Sequence, residues 1–166
     1  MANRIHRLID VDHDDTVLRA FILFVQTADT VLRYADTNFY KKSHLSVIKF
    51  MVLRILAAHD GTMTPSEIAE WTFRERNNIT TLIERLKQDG LVTTERKKID
   101  KRFINVTLTA KGWKILKEVM PVAREIVNRV MLSINEGDTV LLENSLRGLR
   151  QNAHDGLEHL TKVEKP

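Results

Sequence analysis

The 166-residue sequence contains no cysteine. This excludes a disulfide framework, a thiolate metal site, a catalytic thiol and a cysteine-based peroxide sensor. Long apolar runs are also lacking. The stretch VLRAFILFV, Val17 to Val25, is short, carries Arg19 and is followed by no small-residue cleavage site, so it reads as neither a signal peptide nor a membrane span. The cytoplasm is the expected compartment. No Gly-rich phosphate loop, nucleophile elbow or closely spaced His and carboxylate motif occurs, and an enzyme is not expected. There is no internal repeat and no low-complexity tract.

With 43% hydrophobic and 29% charged residues, the chain has the composition of one globular domain, or one domain with arms. Its net charge of +4 is unevenly placed. Residues 74–102 hold nine Lys or Arg against five acids, which is the whole formal excess, while the N-terminus is locally acidic at Asp10, Asp12, Asp14 and Asp15. A concentrated basic segment suggests a polyanionic partner, the bland alternative being a solvated charged surface.

Asp14 or Asp15 can cap a first helix whose apolar positions, Val17, Leu18, Phe21, Phe24, Val25, Ala28, Val31, Leu32 and Ala35, follow three-and-four spacing. That surface is broader than one stripe and suggests packing on several neighbours or on a second chain. A second helix is expected from about Ser43 to His59, with Leu45, Ile48, Val52, Ile55 and Leu56 inward and Gly61 terminating it. TPSE, Thr64 to Glu67, combines a Thr cap, Pro at the first helical position and Glu at the third. From Arg76 to Asp89, Ile79, Leu82, Ile83 and Leu86 form one apolar face, and the opposite face carries Asn77, Thr81, Glu84 and Gln88 between Thr80 and Arg85. Gly90 ends this helix. LVTTER and RFINVTLT then read as antiparallel strands with residues 96–102 at the hairpin tip. Thr109 caps a helix in which Pro121 predicts a kink rather than a stop, and a last helix follows from NEGD onward.

Helix, capped short helix, helix with a polar outer face and basic hairpin is the order of a winged helix-turn-helix. The expected fold is mainly α with a small β-hairpin wing, a winged helix-turn-helix joined to a helical dimerisation region. The third of these helices can present side chains to base edges in the major groove, with Asn77 and Asn78 matching adenine, Thr80 and Thr81 offering hydroxyls and methyls, and Arg76 and Arg85 reaching guanine or phosphate. Arg96, Lys97, Lys98 and Lys101 supply general attraction to a phosphate backbone. Arg102 suits a narrow minor groove, and Asp100 can orient its guanidinium.

The run TPSEIAEWTFRERNNITTLIERLKQDGLVTTERKKIDKRFINVTLTAKG resembles the DNA-binding core of the MarR family of bacterial transcriptional regulators. LIERLKQDGLV, the Asp-x-Arg wing motif at Asp100 and Arg102, and LTAKG at 108–112 carry the likeness, which with the flanking helices covers roughly residues 14–160. The resemblance implies a homodimer in which the first and last two helices intertwine, holding two winged units over successive half-sites of a palindrome. Residues 1–42 and 110–166 would then form the dimerisation region and 43–109 the DNA-binding region. It further implies a repressor, and a small-molecule effector pocket where the dimerisation helices meet the winged unit. Arg102 is carried over as the minor-groove residue, Asp100 as its orienter, and Arg76, Asn77, Asn78, Thr80, Thr81 and Arg85 as the reading set. WTFRERNN departs from the family's smaller, Ser-rich pattern before the reading helix; Glu75 is a poor cap there.

The remaining chemistry-bearing residues have plainer readings. His154 and His159 are five apart and face different directions on a helix, so neither a metal nor a cofactor is expected, although a site assembled from distant His6, His13 or His44 stays open. Trp71 and Trp113 are expected in the core rather than in a ligand pocket. Lys41, Lys42 and His44 read as solvated charge rather than an anion site. A protein-interaction module that binds an acidic partner is the competing function, and an enzyme using the dimer-interface cavity a third.

Overall fold

The computed structural model describes residues 15–96 and 104–163, without the side chains of Arg96 and residues 161–163. The described chain forms α1 (Thr16–Ser43), α2 (Val47–Ala58), β1 (Thr62–Met63), α3 (Pro65–Thr72), α4 (Arg76–Gln88), β2 (Val92–Arg96), β3 (Ile104–Leu108), α5 (Ala110–Val130) and α6 (Glu136–Val163).

The starts of α1, α2, α3 and α5 follow from local side-chain hydrogen bonds. Asp15 accepts from the amides of Val17 and Leu18 at 2.9 and 3.0 Å. Thr64 and Glu67 complete a reciprocal capping box with Pro65 beside it. Thr109 Oγ1 accepts from the Gly112 amide at 2.9 Å and donates to the Gly90 carbonyl at 2.7 Å, so one hydroxyl both starts α5 and fastens it to the turn after α4.

The boundary between the first two helices differs from the expectation. Lys41, Lys42 and Ser43 belong to the last turn of α1, where their charge suits the helix C-terminus. His44 ends that helix in the left-handed region at φ 53°, and α2 starts after a Ser46 cap. Asp36 fixes this corner by accepting from the Val47 amide at 2.7 Å. Leu45, expected on α2, is buried in the connection, and Leu53 is a fully buried α2 residue absent from the expected inner set.

The strands form a three-stranded antiparallel sheet in the order β1-β3-β2. Val92 pairs with Leu108 and Arg96 with Ile104, so the hairpin has the expected partners. β1 was not expected: Thr62 and Met63 pair with Thr107 and Val106, and two residues are too few to show alternation. Gly61, at φ +80°, turns the chain into β1 and donates to Leu56 O at 2.8 Å.

The core lies where α2, α3, α4 and the sheet meet, with Leu53, Leu56, Ile68, Ile79, Leu86, Val92 and Val106 fully enclosed. A second layer joins the arms to this unit. Leu116, Val119 and Ile126 of α5 are buried, as are Ala35 and Phe39 of α1, with the Phe39 and Phe50 rings 4.8 Å apart. α5 runs unbroken through Pro121. α6 has no buried residue among its described side chains.

The winged unit and the arms approach closely at Gly112, where a Cβ would stand 2.2 Å from Leu91 O. Backbone cannot yield as a side-chain tip can, so only glycine fits. Gly112→Ala is expected to lower stability by about 1–3 kcal/mol or more, as overpacking does. Urea denaturation checks this, and an unchanged midpoint and slope would contradict it.

Candidate nucleic-acid interface

α4 is held by one face and open on the other. Ile79, Leu82, Ile83 and Leu86 are buried, and their spacing sets the rotation of the helix about its axis. At about 100° per residue, the line opposite this stripe runs through Asn77, Thr81, Glu84 and Gln88, with Thr80 and Arg85 beside it. Arg76 and Asn78 lie further round, on opposite edges. All six residues expected to read bases, Arg76, Asn77, Asn78, Thr80, Thr81 and Arg85, are exposed.

The two threonines are partly committed. Thr80 Oγ1 donates to Arg76 O at 3.0 Å and Thr81 Oγ1 to Asn77 O at 3.2 Å. With their hydrogens turned into the helix, they present methyls and oxygen lone pairs outward. They can therefore accept from an amino group or pack on a thymine methyl, but do not donate in this arrangement. Glu84 pairs with Lys87 at 3.7 Å, which offsets an acid on an otherwise receptive face.

The two ends of α4 are fastened differently. Beyond its C-terminus, Lys49 of α2 donates to the Asp89 carboxylate at 2.5 Å, and Lys111 of α5 donates to the Asp89 carbonyl at 2.6 Å. Gly90 follows at φ +70°, and the Leu91 amide donates to Leu86 O at 2.9 Å. At the N-terminus, Glu75 occupies the cap position in extended backbone and makes no side-chain cap hydrogen bond. The sequence pointed to this weak cap; it did not show that Lys49 and Lys111 converge on Asp89, a contact between residues distant along the chain.

β2 and β3 bring the hairpin alongside this unit, ending at the Arg96–Ile104 pair. The expected wing residues Lys97, Lys98, Asp100, Lys101 and Arg102, and the side chain of Arg96, lie outside the described residues. So do His6 and His13.

Trp71 and Trp113 are not core residues. Trp71 is 56% exposed and Trp113 44% exposed. The Trp71 ring stands edge-on to His59 at 4.8 Å, and that of Trp113 covers the Gly61 turn, its Cζ2 3.1 Å from where a Cβ would be. Both indoles cover local structure without being enclosed by it. Trp71 also lines an open cleft of ≈ 790 Å³ with Phe24, Met131, Leu142, Leu146 and Arg150, between α1, the end of α3 and α6. Lys41, Lys42 and His44 are exposed, with the His44 ring edge-on to Tyr40 at 4.9 Å. His154 pairs with Glu158 at 3.4 Å and meets the Phe73 ring edge-on. Among the described residues no three His, Asp or Glu side chains are grouped to hold a metal ion, and no helix is long and apolar enough to cross a membrane.

A capped helix, a turn, an amphipathic helix with a polar outer face and an antiparallel hairpin define a winged helix-turn-helix protein. Residues 45–102 match the model of the MarR family. The HTH-type transcriptional regulator SarZ of Staphylococcus haemolyticus is 25% identical over 139 residues, covering 84% of this chain and 91% of that protein. Sco3205, a MarR family transcriptional regulator of Streptomyces coelicolor solved in complex with DNA, superposes with a TM-score of 0.77 at 18% identity, over 86% of this chain and 92% of that one. BpsR of Bordetella bronchiseptica, whose DNA binding is regulated by 6-hydroxynicotinic acid, superposes with a TM-score of 0.63 at 23% identity, over 76% and 98% of the two chains. Over residues 45–102 the chain is thus similar to the MarR family, and SarZ and Sco3205, the relatives it resembles over most of its length, are transcriptional regulators.

Proposed function

We propose that this chain is a double-stranded DNA-binding transcriptional regulator, acting as a repressor, which places α4 in the major groove and the hairpin tip against the minor groove. The observation that carries this reading is the exposed row of Asn77, Thr81, Thr80 and Arg85 on a helix whose opposite side is buried. It belongs to the sequence segment, residues 74–102, that holds the chain's whole positive excess. Phosphate contacts position such a protein, and base-edge contacts give it sequence preference. Arg76 and Arg85 at the edges of α4, with Arg96, Lys97, Lys98 and Lys101, take the first role. Asn77, Asn78, Thr80 and Thr81 take the second, while Arg102, oriented by Asp100, enters the minor groove.

The working form is a homodimer. Residues 1–42 and 110–166 form its dimerisation region and 43–109 its DNA-binding region. Val17, Phe21, Val25 and Leu32 of α1, Val127 of α5 and Val140, Leu141, Leu146, Leu149, Leu157 and Leu160 of α6 are exposed large apolar residues on the arms. Apolar surface on this scale marks an interaction face. A second copy that buries it supports the reading, and its two winged units then face the two halves of a palindrome. The relative SarZ, a transcriptional regulator, and Sco3205, solved with DNA, also support it.

Titration of labelled duplex DNA at rising salt is expected to show an affinity that falls steeply, on the order of 10³–10⁵ between 50 and 200 mM if six to ten phosphates are contacted. Lys97→Ala should flatten that slope and weaken all duplexes alike, whereas Asn77→Ala or Arg102→Ala should cost about 1–3 kcal/mol on the preferred duplex. Salt-dependent binding of an acidic protein, with no duplex binding at low salt, would replace this reading with a protein-interaction module.

The cleft lined by Phe24, Trp71, Met131 and Leu146 is the proposed effector site, since an occupant there touches an arm helix and the end of α3 together. BpsR, with its small-molecule regulation, supports it. In a Trp113→Phe background, an effector is expected to change Trp71 emission over the concentration range in which it releases DNA. Release without that change would place the effector elsewhere.

A further inference from the structure

Phe73 ends α3 in a conformation that an L-residue rarely adopts, with φ 52° and ψ 44°. Its Cβ meets steric opposition that glycine would avoid. Its ring is engaged by α6. The Arg150 guanidinium carbon lies 4.1 Å from the ring centroid, and the His154 ring stands edge-on at 5.8 Å with an interplanar angle of 87°. Arg150 and His154 are four apart and share a face of their helix, so they approach the ring as a pair. The same ring borders two open clefts. One, of ≈ 790 Å³, is that lined by Trp71; the other, of ≈ 850 Å³, is lined by Glu70, Arg74, Arg76 and Gln151.

Only Arg74 and Glu75 separate Phe73 from the first residue of α4. That end of α4 has no side-chain cap, while beyond the other end Asp89 is fastened by Lys49 and Lys111. A helix fixed at one end and weakly capped at the other tilts at the loose end when its neighbour moves. The loose end carries Arg76, Asn77 and Asn78. We propose that Phe73 is a positioning residue: α6 grips its ring through Arg150 and His154 and thereby sets the N-terminal end of the reading helix. The consequence for DNA rests on the DNA-binding reading above; the mechanical link does not.

Hydrogen exchange on the full-length protein without DNA tests the link. In wild type the Arg74 amide donates to Ala69 O at 3.0 Å and the Ile79 amide to Glu75 O at 3.1 Å, while those of Asp89 and Leu91 report the fastened end. Phe73→Gly removes the ring but accepts the left-handed backbone, and Arg150→Gln removes the cation while leaving the ring. Both are expected to speed exchange at Arg74 and Ile79 by about tenfold and to leave Asp89 and Leu91 unchanged. Arg147→Gln removes a neighbouring α6 guanidinium that pairs with Glu143 rather than Phe73, and should change none of them. Unchanged exchange at Arg74 and Ile79 in Arg150→Gln, an equal rise at Asp89 and Leu91, or the same pattern in Arg147→Gln would overturn the proposal. On duplex DNA, Arg150→Gln should lower the ratio of preferred to random binding by about tenfold with little change in salt slope. If the exchange pattern holds but wild type binds no duplex, the link stands and the DNA reading fails.

Discussion

Burial of Ile79, Leu82, Ile83 and Leu86, on the helix that packs against α3 and β2, is the contact on which the winged unit depends. Each such side chain contributes about 1.5–3 kcal/mol when fully removed from water. Their three-and-four spacing permits one rotation of α4, and that rotation turns Asn77, Thr81 and Arg85 outward. Core packing and presentation of the polar row are thus one event. A slip by one residue would bury polar groups and expose aliphatic ones, a cost the helix has no contact to offset.

This unit is a small, well-enclosed body joined to arms that are not enclosed. Thr109, Gly112 and Lys111 tie α5 to the turn after α4, so the fastened end of α4 and the start of the arm are almost one piece. α6 returns over the other end and reaches it through the Phe73 ring. The arms therefore touch the winged unit at both ends of α4, one stiffly and one through a ring contact. In the proposed dimer, arm geometry sets both the separation of the two reading helices and the tilt of each.

Much of this was legible in the sequence because it is local. TPSE gave its capping box, Thr109 its cap, the alternation from Ile104 to Leu108 its strand, and Glu75 its failure to cap. The features that escaped are those decided at a distance. β1 exists only because β3 lies beside it. Lys41 to Ser43 joined α1 because His44 accepts the left-handed turn that ends it and Ser46 offers a better start for α2. Trp71 and Trp113 have the composition of core residues, yet lie over His59 and the Gly61 turn at the surface. The role proposed for Phe73 had one trace in the sequence, the departure of WTFRERNN from the family's smaller residues. What the ring touches required α6 to be placed.

The most direct measurement of the account is selection of bound sites from random duplex DNA by the full-length protein. A homodimer with one reading helix per winged unit should enrich a palindrome whose half-sites are centred about one helical turn, roughly 10–10.5 base pairs, or a multiple of it apart. Enrichment of a single asymmetric site, or of none, would contradict it.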